Sequence, residues 1–149
     1  EYANMNNSIV CGTSNKSEIL VGYFTKFGDG GVDIMPIGDL YKTQIYELAR
    51  FLEIPEKIVS KPPTAGLIKG QTDKKELKMD YYTLDTILMG LEKKLDLGNI
   101  SKEASVEISE VERIKNLRIK SQHKRRMPMI PKVGLRTPGF DWRSPVQLG

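Results

Sequence analysis

One cysteine, one histidine and one tryptophan occur in the 149 residues. The single cysteine, Cys11, rules out an intramolecular disulfide and fits a reducing compartment, so a cytoplasmic protein is expected. The single histidine, His123, rules out a histidine-rich metal site. Apolar residues never run to the ~20 positions a membrane-spanning helix needs, and no secretory n-region or h-region occurs; no membrane partner is expected. No bias of disordered or fibrous type is present, since 39% of residues are hydrophobic and 28% charged, the balance of a globular chain with a real core. The net charge of +4 is too small to single out a polyanionic partner. The first residue is Glu1 rather than Met, and further residues upstream are expected.

Hydrophobic spacing divides the rest. Ser8 to Thr13 is a short apolar run closed by Gly12 and Thr13, the pattern of a buried strand ending in a turn. Ser14 or Asn15 can cap a following helix, with Glu18 placed for a capping box. Phe27 to Gly31 is too rich in glycine for an element interior and predicts a loop. Val32 to Ile37 predicts a short extended stretch, with Pro36 keeping it from the centre of a sheet. Ile45, Leu48, Ala49 and Leu52 fall at i, i+3, i+4 and i+7 and predict a helix from Lys42 to Leu52, stopped before Pro55. A second short helix spans Glu56 to Ser60. Lys61 to Leu67 reads as a loop stiffened by Pro62 and Pro63, and Gln71 to Met79 as a loop with one helical turn. Asp80 caps a helix whose stripe is Leu84, Ile87, Leu88, Leu91 and Leu95, with Gly98 as its stop. Ser101 starts a long polar helix carrying Val111, Ile114 and Leu117. From Met127 the chain changes character. Residues 127–149 hold four prolines and no period, and Lys124 to Arg143 carries a net +5. Two parts are therefore expected, a globular 1–126 and a proline-rich basic tail, 127–149.

Several side chains have the chemistry of a nucleotide site, each with a plainer alternative. Gly12-Thr13 at a strand end would bring backbone and a hydroxyl to a phosphate or ribose, or would be an ordinary βα turn. Glu18 beside such a site would suit Mg²⁺, or would merely cap its helix. The loop Gly28-Asp29-Gly30-Gly31, flanked by Lys26 and Asp33, suits a ligand with a phosphate and a ribose, or is a flexible surface loop. Lys42 in a first helical turn opposes the helix dipole, a conflict that a bound polyphosphate would remove and that solvent would also screen. Thr64 offers a rigidly placed hydroxyl. His123-Lys124-Arg125-Arg126 can clamp phosphate or simply complement a helix C-terminus.

The order of these blocks is more specific than any one of them. Gly12 to Glu18, Gly22 to Asp33 and Pro36 to Thr43 resemble the signature of ammonia-dependent NAD synthetases. Lys61 to Leu67, Gly70 to Asp73, Glu76-Leu77 and His123 to Arg126 are similar to later blocks of that family. The resemblance implies an α/β fold, the three-layer adenine-nucleotide α-hydrolase-like (Rossmann-like) arrangement, here incomplete at its N-terminal side. It implies a homodimer that converts deamido-NAD, ATP and ammonia into NAD, AMP and pyrophosphate with Mg²⁺. Thr13, Lys42 and Thr64 would contact ATP, and Glu18 would hold Mg²⁺, with Lys42 and Glu18 as the catalytic pair. Lys26, Asp33, His123 and Lys124 would bind deamido-NAD.

One departure is clear. The family's Ser-Gly-Gly-x-Asp-Ser pyrophosphate loop does not occur in this sequence. This chain alone is therefore expected to be inactive. Three other readings stand beside this one: the synthetase part of a glutamine-dependent enzyme, a basic nucleic-acid-binding module built on the tail, and a stand-alone half-protein that binds nucleotide without turnover. Phe140 and Trp142 are the only tail aromatics, fewer than a base-stacking surface needs, so no nucleic acid is expected.

Overall fold

Asn15 begins the helix on which the site depends. In the computed structural model, which describes residues 1–138 and 141, its side chain accepts the Glu18 amide at 3.0 Å while Glu18 Oε2 accepts the Asn15 amide at 3.1 Å. This reciprocal pair is the expected capping box, and it starts α2, Lys16–Val21, after a short α1, Tyr2–Met5. Gly22 ends α2 at φ +75°, a conformation that L side chains rarely adopt. A Cβ there would sit 2.2 Å from that of Ser121, so glycine is required for space as well as for φ.

Three further helices carry the middle of the chain: α3, Lys42–Phe51; α4, Glu56–Val59; and α5, Asp73–Leu77. The α3 stripe read from the sequence is not buried core. Leu48 is 37% and Leu52 58% exposed, because α3 packs chiefly on α4 and one other helix. That other helix is α6, Tyr81–Glu92, capped by Asp80 through the Thr83 amide at 3.0 Å.

The core forms where α6 meets α7, Leu97–Ala104, and α8, Ile108–Lys120. Leu84, Ile87, Leu88, Ile100, Val111 and Ile114 are all at most 1% exposed. The helix boundaries differ here from those expected of the sequence. α6 stops at Glu92 rather than running to Gly98, Lys94 turns the chain at φ +57°, and Asp96 caps α7 with Gly98 inside it. The single long helix expected from Ser101 is two helices, broken at Ser105 at φ +53°. The break lets Ile100 and the Val111–Ile114 pair reach the same core from separate axes. Gly90 permits the close approach of α6 and α7: a Cβ there would lie 2.7 Å from Ile100 Cγ1.

The expected buried strand is also corrected. Cys11 and Ile34 form one isolated parallel bridge, with Gly12 N donating to Ile34 O at 2.8 Å and Asp33 N to Val10 O at 3.0 Å. Among the described residues no named strand or layered sheet accompanies it. Ile9 and Val10 consequently stay 64% and 41% exposed. A 3-10 turn, Ser121–Arg125, closes the helical part. Phe140, Trp142, Arg143 and Pro145, all in the tail, lie outside the described residues. No helix among the described residues is long and apolar enough to cross a membrane.

Candidate functional site

The bend from the Cys11–Ile34 bridge into α2 leaves Thr13 exposed at one end of a cleft of about 390 Å³. Glu18 on α2, Lys42 at the start of α3 and Thr64 in the proline-stiffened loop line the same cleft. Four residues picked out by sequence from three separate blocks thus share one cavity. Lys61 adds a second cation to its wall, and Tyr23, Asp29 and Asp73 add polar groups.

Each side chain is held differently. Lys42 Nζ lies 3.6 Å from Glu18 Oε1 and over the rings of Tyr81 and Tyr46, at 5.4 and 5.9 Å. Carboxylate and aromatic faces offset the conflict between this ammonium and the α3 dipole. Thr64 Oγ1 donates to Gln71 O at 2.8 Å and accepts from Gly66 N at 3.0 Å, which folds the loop back on itself. Its one proton is committed, so a ligand meets this hydroxyl mainly as an acceptor. The Thr13 hydroxyl has no hydrogen-bond partner among the described residues and is open in both senses.

The cleft continues. It shares Tyr23, Asp29 and Ala65 with a hollow of about 550 Å³, which shares Phe24 and Lys124 with a third of about 620 Å³. Lys26, Asp33 and Lys124 all line that third hollow. Asp33 Oδ2 accepts the Val10 amide at 2.7 Å, and Lys26 Nζ donates to His123 O at 2.7 Å. His123 contributes its carbonyl to this contact, and its exposed side chain is not part of the wall. Lys124 Nζ donates to Gly22 O and Phe24 O, both at 2.7 Å, leaving one of its three protons for a ligand. The basic cluster thus anchors the turn after α2 as well as facing the trough.

A family model, NAD synthase, matches residues 1–128. The chain belongs to the NAD synthase family. An NH(3)-dependent NAD(+) synthetase of Sulfurisphaera tokodaii is 46% identical over 99% of this chain and 53% of its own length. Among solved structures, an NMN synthetase from Francisella tularensis superposes with a TM-score of 0.73 at 40% identity, over 88% of this chain and 50% of that one. An NH3-dependent NAD synthetase from Campylobacter jejuni gives 0.65 at 33% identity, over 88% and 48%. The chain spans about half the length of the curated relatives it matches.

The family resemblance implies a magnesium ion, and the donors can be tested for it. Among the described residues no group of three or more His, Cys, Asp or Glu is arranged to hold a metal. Glu18 faces the cleft with a carboxylate shared between the Asn15 amide, Tyr81 Oη at 3.3 Å and Lys42. One such carboxylate fits Mg²⁺ held mainly by phosphate oxygens and water, and does not fit a protein-only cage.

Sequence reasoning assigned no role to the groups behind the cleft. Tyr81 Oη also lies 2.8 Å from Asp73 Oδ2, and Tyr23 Oη contacts both Asp73 and Glu76. Burial first pushes both phenols well above the usual tyrosine value, followed by Glu18 and Asp73 at Tyr81 and by Glu76 and Asp73 at Tyr23. Asp85, 1% exposed on α6, accepts from Ser17 Oγ at 2.5 Å and from Thr43 N and Oγ1, both at 2.9 Å. Burial pushes its carboxyl up, while those hydrogen bonds and Lys42 pull it down. The only sequence signal for Asp85 was an acid inside an apolar stripe.

Proposed function

We propose that this chain forms part of an enzyme that makes NAD by amidating deamido-NAD with ATP and ammonia. The observation that carries the reading is the shared cleft of Thr13, Glu18, Lys42 and Thr64. In this reading ATP occupies the cleft, and deamido-NAD runs along the trough past Lys124 to Lys26 and Asp33. The three-layer α/β nucleotide fold, the homodimer and a cytoplasmic location belong to the same reading, supported by the family match.

In the first step the nicotinate carboxylate oxygen attacks the α-phosphorus of ATP; the bond to the β-phosphate oxygen breaks and pyrophosphate leaves. In the second, ammonia adds to the acyl-adenylate carbonyl, AMP departs with the original carboxylate oxygen, and a proton is released. No protein nucleophile is needed. Several anionic groups converge in the first step, so the chain's work is positioning and charge neutralisation. Lys42 supplies a fixed positive charge at the cleft, and Thr13 offers an unengaged hydroxyl to phosphate. Thr64 fits a ribose hydroxyl or adenine amine, because its own proton is used. Mg²⁺, when bound through Glu18, would add positive charge at the phosphates.

The test is an assay of the protein as the cell makes it, with ATP and either ammonia or glutamine, and with the dinucleotide or mononucleotide acid. The mononucleotide is included because one structural neighbour is described as an NMN synthetase. The expected result is NAD, AMP and pyrophosphate in equal amounts from ammonia and the dinucleotide. Amide formation restricted to the mononucleotide, or no amide formation at all, overturns the reading.

A further inference from the structure

Lys42 and Glu18 sit on different helices, yet their charged ends lie 3.6 Å apart. Besides this pair, α2 meets α3 directly through one hydrogen bond, from the Lys42 amide to Ser17 Oγ. Both helices are also tied at their first turns to one buried acid on α6. Ser17, next to Glu18, donates its hydroxyl proton to Asp85 Oδ1, and the same oxygen of Ser17 accepts the backbone amide of Lys42 at 2.9 Å. Asp85 Oδ2 takes both the amide and the hydroxyl of Thr43. The carboxylate is fully enclosed, and no Lys or Arg forms an ion pair with it among the described residues. A well-packed apolar residue would be the cheaper choice at such a place if packing were all that was required, because a buried charge is costly.

We infer that Asp85 is a positioning residue that fixes Lys42 against Glu18 through Ser17 and Thr43, and so sets the charge geometry of the ATP cleft. This inference rests on the synthetase reading for its kinetic arm, and has a structural arm that does not. Asp85→Asn is the informative change. The amide oxygen can still accept from Thr43, but its NH₂ then meets the Ser17 oxygen, which already takes the Lys42 amide. That oxygen has lone pairs for both donors, but the Ser17 proton loses Asp85 as its acceptor. The hydroxyl must turn to find another, and the first residue of α3 shifts while the shape of the core is kept.

The experiment is a double-mutant cycle on the protein as the cell makes it, with Asp85→Asn, Lys42→Ala and the pair, read as kcat and KM for ATP. Asp85→Asn is expected to lower kcat about tenfold to a hundredfold, the cost of a small misplacement. In the Lys42→Ala background the same change is expected to cost less than about twofold, since its effect passes through Lys42. A purely structural role would give the same factor in both backgrounds, and that outcome overturns the inference, as does an unchanged kcat for Asp85→Asn. If the asparagine variant does not fold, Thr43→Val removes one hydroxyl donor at constant shape. It is expected to give a smaller loss that again vanishes without Lys42, and no loss overturns the inference. A crystal structure of Asp85→Asn supplies the structural arm: the Lys42–Glu18 separation should open, and an unchanged pair refutes the positioning role. If the protein makes no NAD at all, the synthetase reading fails and this separation alone decides the inference.

Discussion

The Lys42 ammonium faces a carboxylate on one side and two tyrosine rings on others, in a cleft that also holds Lys61. Such a charge is poised for an anion, because its desolvation is already met before a ligand arrives. Lys42→Ala is therefore expected to lower kcat by about 10²–10³, the usual cost of a lost charge-neutralising donor. Steady-state kinetics with saturating ATP measures this, and a rate near that of the unaltered enzyme removes Lys42 from the chemistry. The buried phenols make a second residue-scale prediction. Tyr23, Tyr41 and Tyr81 are all held protonated, chiefly by burial, above the ordinary value of 10.0. Their folded values are raised, so the stability they contribute is intact below pH 10 and is lost as pH rises beyond it. An absorbance titration at 295 nm should show these three ionising only as the protein unfolds. Reversible ionisation of all six tyrosines in the folded state would contradict the burial.

Among the elements, α2 shows how a short helix is made rigid at both ends. Its start has the Asn15–Glu18 capping box, and its end is covered by Arg125, whose guanidinium donates to Ile19 O and Leu20 O at 3.0 and 2.8 Å. Six residues cannot hold a helix by propensity alone, so these caps carry it. Arg125→Ala is expected to cost about 2 kcal/mol in urea unfolding, as partly buried carbonyls lose a charged donor. No change in the midpoint would show that solvent replaces the guanidinium. Gly22→Ala should cost at least as much, since both φ and the 2.2 Å approach to Ser121 oppose a methyl group.

Elements with a strong local signal were legible in sequence. The Asn15–Glu18 box, the Lys42 helix and the Asp80 cap all rest on side chains within one turn of each other. The Gly98 stop was misread, because glycine ends a helix only where the chain takes positive φ, and here Lys94 and Ser105 make those turns. The strand at Ser8–Thr13 has apolar composition, but its pairing depends on distant neighbours, and only Ile34 supplies one among the described residues. The cleft residues on loops were recognisable through the order of their blocks. Asp85 and Tyr81 were not, and Asp73 lay in a recognised block without a role, since a buried acid's part depends on which helices converge on it.

For the molecule as a whole, the α6–α7–α8 core is the base on which the trough is mounted. α2 packs on α6 and α8, and α3 on α6, so the core fixes the two helices that bear Glu18 and Lys42. Leu84 and Ile114 are 0% exposed at its centre. Truncating either to alanine is expected to cost about 2–5 kcal/mol and to loosen the cleft along with the core. Three adjoining hollows then link Thr64 to Asp33 along the trough.

The most direct measurement is a crystal structure of the protein as the cell makes it, bound to a non-hydrolysable ATP analogue. The triphosphate should lie within hydrogen-bond reach of Lys42 Nζ and Thr13 Oγ1, with the ribose or adenine beside Thr64. A nucleotide seated elsewhere, touching none of Thr13, Lys42 and Thr64, would contradict the account.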